Sequence, residues 1–199
     1  MRKRLFDLIA AGIGLIVLSP LLLSLALWVK LDSPGPALFR QIRIGRGGAP
    51  FRILKFRTMA VPNAGTNDGP QITVGADRRI TTAGAILRRF KLDELPQLLN
   101  VLRGEMSLVG PRPEVPTYVE LWPADVRAIV LSVRPGVTDP ASLRYADEAS
   151  ILSGYPDPEA AYRTIVMPDK LRLYVDYVRH ATFLGDLAII LRTLHILAV

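Results

Sequence analysis

Between Leu8 and Val29 lie 22 residues without a charged side chain. As one helix they would measure about 33 Å, close to the ~30 Å hydrocarbon thickness of a bilayer, so the run predicts a membrane segment. Ser19-Pro20 interrupts it near the middle. A proline there removes an amide donor and presses on the carbonyl one turn back, which kinks the helix, while a serine hydroxyl can satisfy the freed backbone group. The twelve residues from Leu8 to Ser19 rise about 18 Å, roughly one leaflet. Arg2, Lys3 and Arg4 flank one end, and Lys30, Arg40, Arg43 and Arg46 follow the other. Cationic flanks favour the cytoplasmic side, which places both ends there. Taken alone, the residues suit a helix that enters, breaks and returns as well as a kinked helix that spans. A cleaved leader fits less well, because the run exceeds the usual apolar region and has no convincing small-residue cleavage site.

The 199-residue chain carries a formal charge of +7, unevenly placed. Residues 1–113 hold 17 Lys/Arg against 7 Asp/Glu, and residues 114–199 hold 8 against 11. The basic half is the half to meet an anionic partner: nucleic acid, an anionic membrane or a phosphorylated substrate. There is no cysteine, which excludes disulfides and any thiolate ligand or nucleophile, and fits a reducing compartment.

Past the turn Leu31–Pro36, Ala37–Ile44 and Phe51–Met59 read as strands joined by a glycine-rich hairpin connection. Lys55 and Arg57 lie two apart and so are expected on one strand face. Residues 60–75, rich in Pro, Gly, Asn and Thr, read as a mobile loop. A helix over 83–90 then delivers Arg88 and Arg89. Leu95, Leu98, Leu99 and Leu102 repeat at helical spacing ahead of Gly104, which predicts a helix from about Asp93 to Arg103. Asp93 and Glu94 would then sit at the positive end of a helix dipole, both ionised. Capping explains such a pair by itself, but Arg88, Arg89 and Lys91 before it and Arg112 after it suggest a phosphate and a metal ion held together. An amphipathic helix is expected near 117–133, with Tyr118 and Trp122 packed in the core. A turn-rich segment over 134–145 and helices over about 158–180 and 183–199 follow.

Several stretches in order resemble one family: the small monotopic polyprenyl-phosphate phosphoglycosyl transferases among the bacterial sugar transferases. They are K-R-L-F-D at 3–7, the Ser19-Pro20 break, F-R-Q-I-R-I-G at 39–45, K-F-R-T-M at 55–59, L-D-E-L-P-Q-L-L-N-V-L-R-G-E-M-S-L-V-G-P-R-P at 92–113, R-P-G-V-T at 134–138, D-Y-V at 176–178 and F-L-G-D at 183–186. The resemblance implies an α+β, membrane-associated fold. A re-entrant membrane helix broken at Ser19-Pro20 would occupy 1–31, and a cytoplasmic-face catalytic domain, with a small β-hairpin and amphipathic or interfacial helices, 32–199. It implies transfer of a sugar 1-phosphate from a nucleoside diphosphate sugar, of which UDP-sugars are the first expectation, to polyprenyl (undecaprenyl) phosphate at the bacterial inner membrane. Glycoconjugate assembly would begin with that step.

By the same resemblance Asp93 is the nucleophile that forms a phosphosugar-enzyme intermediate, and Glu94, with Asp93, holds Mg²⁺. Arg112, Lys55, Arg57 and Arg88 are the expected phosphate contacts. Membrane lipid is an expected partner, nucleic acid is not, and a homodimer is left open. The chain reads as the family's minimal form. It departs from the pattern at Asp139-Pro140-Ala141-Ser142, where many members carry Gly-Trp-Ala-Gln, so sugar specificity does not carry over. Two other functions compete. A non-catalytic scaffold of an envelope polysaccharide complex would leave Asp93 dispensable. A membrane-tethered nucleic-acid binder would explain the basic half, though it gives the acidic pair no task and offers no aromatic stacking pattern.

Overall fold

The computed structural model describes residues 2–60 and 77–198; the expected loop over 60–75 therefore falls almost wholly outside the described residues. The apolar run forms two helices, α1 (Arg2–Val17) and α2 (Ser19–Asp32), bent by 64° at the break between them. The local chemistry is as the sequence suggests. Pro20 supplies no amide to the Ile16 carbonyl, and the Ser19 hydroxyl donates to it instead at 2.7 Å. No single described helix is long and apolar enough to cross a bilayer, and only this bent pair has the length and composition to do so.

Polar residues at the start of α1 bolt it to the rest of the chain. Arg4 donates to the Val101 and Leu102 carbonyls, the unsatisfied end of α4 (Gln97–Arg103). Asp7, 2 % exposed, accepts from the Ser107 hydroxyl and the Leu108 amide. Lys3 pairs with Asp186 of α11 (Phe183–Ala198), where Phe6 also meets the Phe183 ring edge-on. The opposite faces are apolar and exposed: Leu5, Ile9, Ile13 and Ile16 on α1, Leu23, Leu27 and Leu31 on α2, Leu184, Leu191 and Leu194 on α11. So much uncovered apolar surface marks a face made for lipid or a partner.

The remainder is mixed helix and small sheet. β1 (Leu38–Ile44) and β2 (Pro50–Phe56) form the antiparallel hairpin, with Gln41 opposite Ile53 and the turn carried by Gly47 and Gly48 at positive φ. The second strand ends three residues earlier than expected: the Arg57 amide still donates to the Ala37 carbonyl, and beyond it Met59 bridges to Ile80. α3 (Thr82–Arg89) starts at a Thr81 cap whose hydroxyl accepts from the Gly84 amide.

A two-stranded parallel sheet, β3 (Ser107–Val109) with β4 (Gly136–Thr138), is an element that periodicity does not reveal. Its strands approach so closely that a Cβ on Gly136 would lie 2.1 Å from the Gly110 nitrogen. This contact sets the G-P-R-P turn beside R-P-G-V-T. The helix expected over 117–133 is instead two, α5 (Pro116–Val119) and α6 (Ala124–Val130), divided at Trp122-Pro123, since a proline amide cannot continue the ladder. Tyr118 and Trp122 are core residues, each 5 % exposed. The stretch expected to be turns, 134–145, contains β4 and α7 (Pro140–Arg144). After α8 (Glu148–Ser153), helix runs from α9 (Pro158–Ala161) through a π turn, Tyr162–Val166, into α10 (Met167–His180). The largest core cluster joins α5, α6, α9 and α10.

Candidate active site

The chain enters the site under strain. Lys91 is the one non-glycine at positive φ among the described residues, at 53°, a conformation that costs about 1 kcal/mol for an L side chain. There the chain reverses out of α3 into a single 3₁₀ turn, Leu92–Glu94, which carries both carboxylates. The helix proper begins only at Gln97, with Pro96 capping it. Asp93 and Glu94 thus precede the α4 helix rather than open it, and the dipole argument for keeping both charged does not apply.

Their surroundings push the two acids apart. Glu94 accepts from Lys55 Nζ at 2.8 Å and from both terminal nitrogens of Arg112, one at 3.1 Å. Burial opposes its charge, yet Arg112 and Lys55 outweigh that and hold the carboxyl well below the ordinary range. Asp93, 7 % exposed, is held by no such fork. Burial pushes its carboxyl above the ordinary value, and Glu94 adds to this, while the facing charges of Lys55, Arg88 and Arg112 pull the other way. The expectation that the setting keeps both ionised is corrected for Asp93, whose charge burial disfavours: Glu94 is the committed anion and Asp93 the acid left uncommitted. Burial likewise lowers Lys55, while Glu94 raises Arg112.

Arg88, near enough to Asp93 to act on its charge, is oriented by donating through Nε to the Thr58 hydroxyl at 2.9 Å. Arg57 belongs elsewhere. Its guanidinium donates to the carbonyls of Val29, Ser33, Pro34 and Pro36, closing the end of α2 and the turn behind it. Lys55 and Arg57, expected on one strand face, meet different partners: Lys55 reaches Glu94, and Arg57 the end of α2 and its turn. With four of its five donors on backbone carbonyls, Arg57 anchors the bent helix pair, away from the cluster around Glu94.

Two buried polar residues lie among the leucines of α4. Asn100, fully buried, accepts from the Leu54 amide at 3.0 Å and donates to the Arg52 carbonyl at 2.8 Å, which pins α4 to β2 beside Lys55. Gln97 is also fully buried. Polar side chains at core positions of a short apolar helix were the available signal for both. Asp139, in the departing loop, is buried and caps α7 by accepting from the Ala141 and Ser142 amides, and its charge reaches Arg112.

No cluster of three metal-ligating side chains occurs among the described residues. Two adjacent carboxylates, one free of ion pairs, fit a cation such as Mg²⁺ that takes its other ligands from water and substrate phosphate oxygens, and not a closed protein cage.

A family model described as bacterial sugar transferase matches residues 1–199. The chain belongs to that family. This bacterial sugar transferase is 43 % identical over 197 residues to a UDP-glucose:undecaprenyl-phosphate glucose-1-phosphate transferase of Caulobacter vibrioides, covering 97 % of the chain and 68 % of the relative. It is 41 % identical to the exopolysaccharide production protein PSS of Rhizobium leguminosarum, over 96 % of the chain and 92 % of that protein. A UDP-N-acetylgalactosamine-undecaprenyl-phosphate N-acetylgalactosaminephosphotransferase of Aeromonas hydrophila is 43 % identical over 138 residues, 68 % of this chain but only 32 % of the relative. The sugar transferase therefore matches most of some relatives and about a third of another.

Proposed function

We propose that this sugar transferase moves a sugar 1-phosphate from a nucleoside diphosphate sugar to polyprenyl phosphate through a covalent intermediate on Asp93. The observation that carries the reading is the division of labour between neighbouring acids. Glu94 is tied to Lys55 and Arg112, while Asp93 stands beside the same cations without being bound by them. A carboxylate can attack phosphorus only where the diphosphate's charge is offset, and Lys55, Arg112 and Arg88 lie where they can do that. An Asp93 oxygen attacks the phosphorus attached to the sugar; the bond from that phosphorus to the nucleoside monophosphate breaks, and the monophosphate leaves with the electron pair. An oxygen of polyprenyl phosphate then attacks the same phosphorus and releases the Asp93 carboxylate. Mg²⁺, held by Glu94 and Asp93, would supply further charge neutralisation on the diphosphate. Two successive attacks let a soluble donor and a lipid acceptor use one site in turn.

The check is a single turnover with donor and no lipid. One equivalent of nucleoside monophosphate is expected, together with an Asp93 peptide heavier by one sugar phosphate. An unmodified peptide from active enzyme would reject the intermediate. Among UDP-sugars, the panel member that releases UMP names the donor.

The membrane part of the reading is that α1 and α2 dip into the cytoplasmic leaflet of the bacterial inner membrane and return. Three features support it: the 64° bend, the apolar outward faces, and the cations at both ends. With no native cysteine, Arg2→Cys and Lys30→Cys are clean reporters. Both are expected to react with an impermeant thiol reagent from the cytoplasmic side only. Reaction from opposite sides would show a spanning helix.

A further inference from the structure

Glu94, Gln97 and Asn100 are spaced three apart in a right-handed run, since Leu95 and Pro96 both keep helical dihedrals between the 3₁₀ turn and α4. Such residues share a face. The two outer members show which face it is. Glu94 meets Lys55, and Asn100 meets Arg52 and Leu54, all on β2. Gln97 comes between them in the run, and helical side chains lean toward the N-terminus, which here means toward Glu94. Gln97 is 0 % exposed, and neither its amide nitrogen nor its amide oxygen has a hydrogen-bond partner among the described residues. Leaving such a group unpaired is destabilising. The only other buried side-chain atom in that condition among the described residues is Trp122 Nε1, which belongs to the core around α5 and α6.

The free site has a matching shortage in waiting. All the cation contacts of Glu94 come from Lys55 and Arg112, the groups that a diphosphate would also attract. A buried carboxylate that gives up its hydrogen-bond donors is destabilised, and a metal ion held on one of its oxygens would leave the other without a donor. We propose that Gln97 is a positioning residue of the loaded site: when the donor diphosphate draws Lys55 and Arg112 onto itself, the Gln97 amide takes over the Glu94 carboxylate. This rests on the reading of Lys55 and Arg112 as diphosphate contacts. It explains why a buried amide is unpartnered in the free protein, three residues from the group that will need it.

The test uses the full chain with Gln97→Met, which keeps length and loses the hydrogen bonds, and Gln97→Leu as a second packing solution. Without ligand, both are expected to melt at or above the wild-type temperature. With UDP as the probe, both are expected to lose affinity about tenfold or more, and to form the sugar-phosphate adduct correspondingly more slowly, as with other partners one layer behind a reacting group. Variants that bind UDP and react like wild type would overturn the proposal. So would a clear drop in melting temperature in both, which would show that the amide already has a structural bond in the free protein. A wild-type protein that neither binds UDP nor releases nucleoside monophosphate would instead sink the functional reading, and this proposal with it.

Discussion

Replacing Asp93 with Asn is expected to abolish transfer, by a factor on the order of 10⁴ or more, because an amide oxygen cannot form the acyl phosphate. The fold should not suffer. Burial already disfavours the charge on Asp93, so a neutral side chain of the same shape is expected to leave the melting temperature unchanged or slightly higher. Nucleoside monophosphate release, adduct mass and thermal unfolding measured on one preparation decide the matter. Full activity in the Asn variant would reject Asp93 as the nucleophile, and loss of fold with loss of activity would mean that Asp93 is structural.

Arg112→Met is the second large effect, and it acts on two quantities at once. Removing the guanidinium leaves Glu94 with Lys55 alone in a mostly buried setting, which is expected to cost about 2–3 kcal/mol. The first half-reaction should slow by roughly 10²–10³-fold, the usual consequence of deleting a group that stabilises developing charge. The pH dependence has a definite sign. Glu94 is held below its ordinary value of 4.5, so its ionised form contributes stability that is complete above that pH and is lost as the pH falls through the lowered folded value. The variant lacks most of that contribution. The stability gap between wild type and Arg112→Met should therefore be widest near neutrality and narrow on acidification below about 4.5. A gap that does not change with pH would mean that the arginine acts through packing. Lysine is not expected to rescue it, since one ammonium cannot replace a fork bonded to both oxygens.

The legible parts of the chain were those with short-range causes. Alternation and two glycines at positive φ make the hairpin, the Thr81 hydroxyl starts α3, and Gly104 ends α4 in the left-handed conformation the stop requires. The Ser19-Pro20 bend follows from one missing amide. Errors came where a local pattern was carried across a boundary. The spacing of Lys55 and Arg57 suggests one pair of cations, but they take partners on separate elements, Glu94 and the turn behind α2. A helix drawn through Pro123 ignored the residue that breaks it, and the leucine repeat moved the start of α4 forward onto Asp93, whose turn is 3₁₀. The three-residue strands β3 and β4 are too short to show a period, and only the Gly110–Gly136 approach forces their pairing. Within the site, the acidic pair and its cations could be named from the sequence. The supporting layer could not: Asn100, Arg4 and Asp7 act through groups distant in sequence, and nothing nearby indicates their partners.

The bolts at the start of α1 have a mechanical consequence. Arg4 grips the far end of the very helix that follows the acidic pair, and Asp7 grips the strand that leads into the G-P-R-P turn. Any insertion depth taken by α1 would thereby be passed on to the carboxylates through one short helix and one short strand. If α1 and α2 lie in lipid as proposed, the chemistry rides at a fixed draught, like a keel set into a hull, and the acceptor must come to it by sliding sideways in the plane of the bilayer.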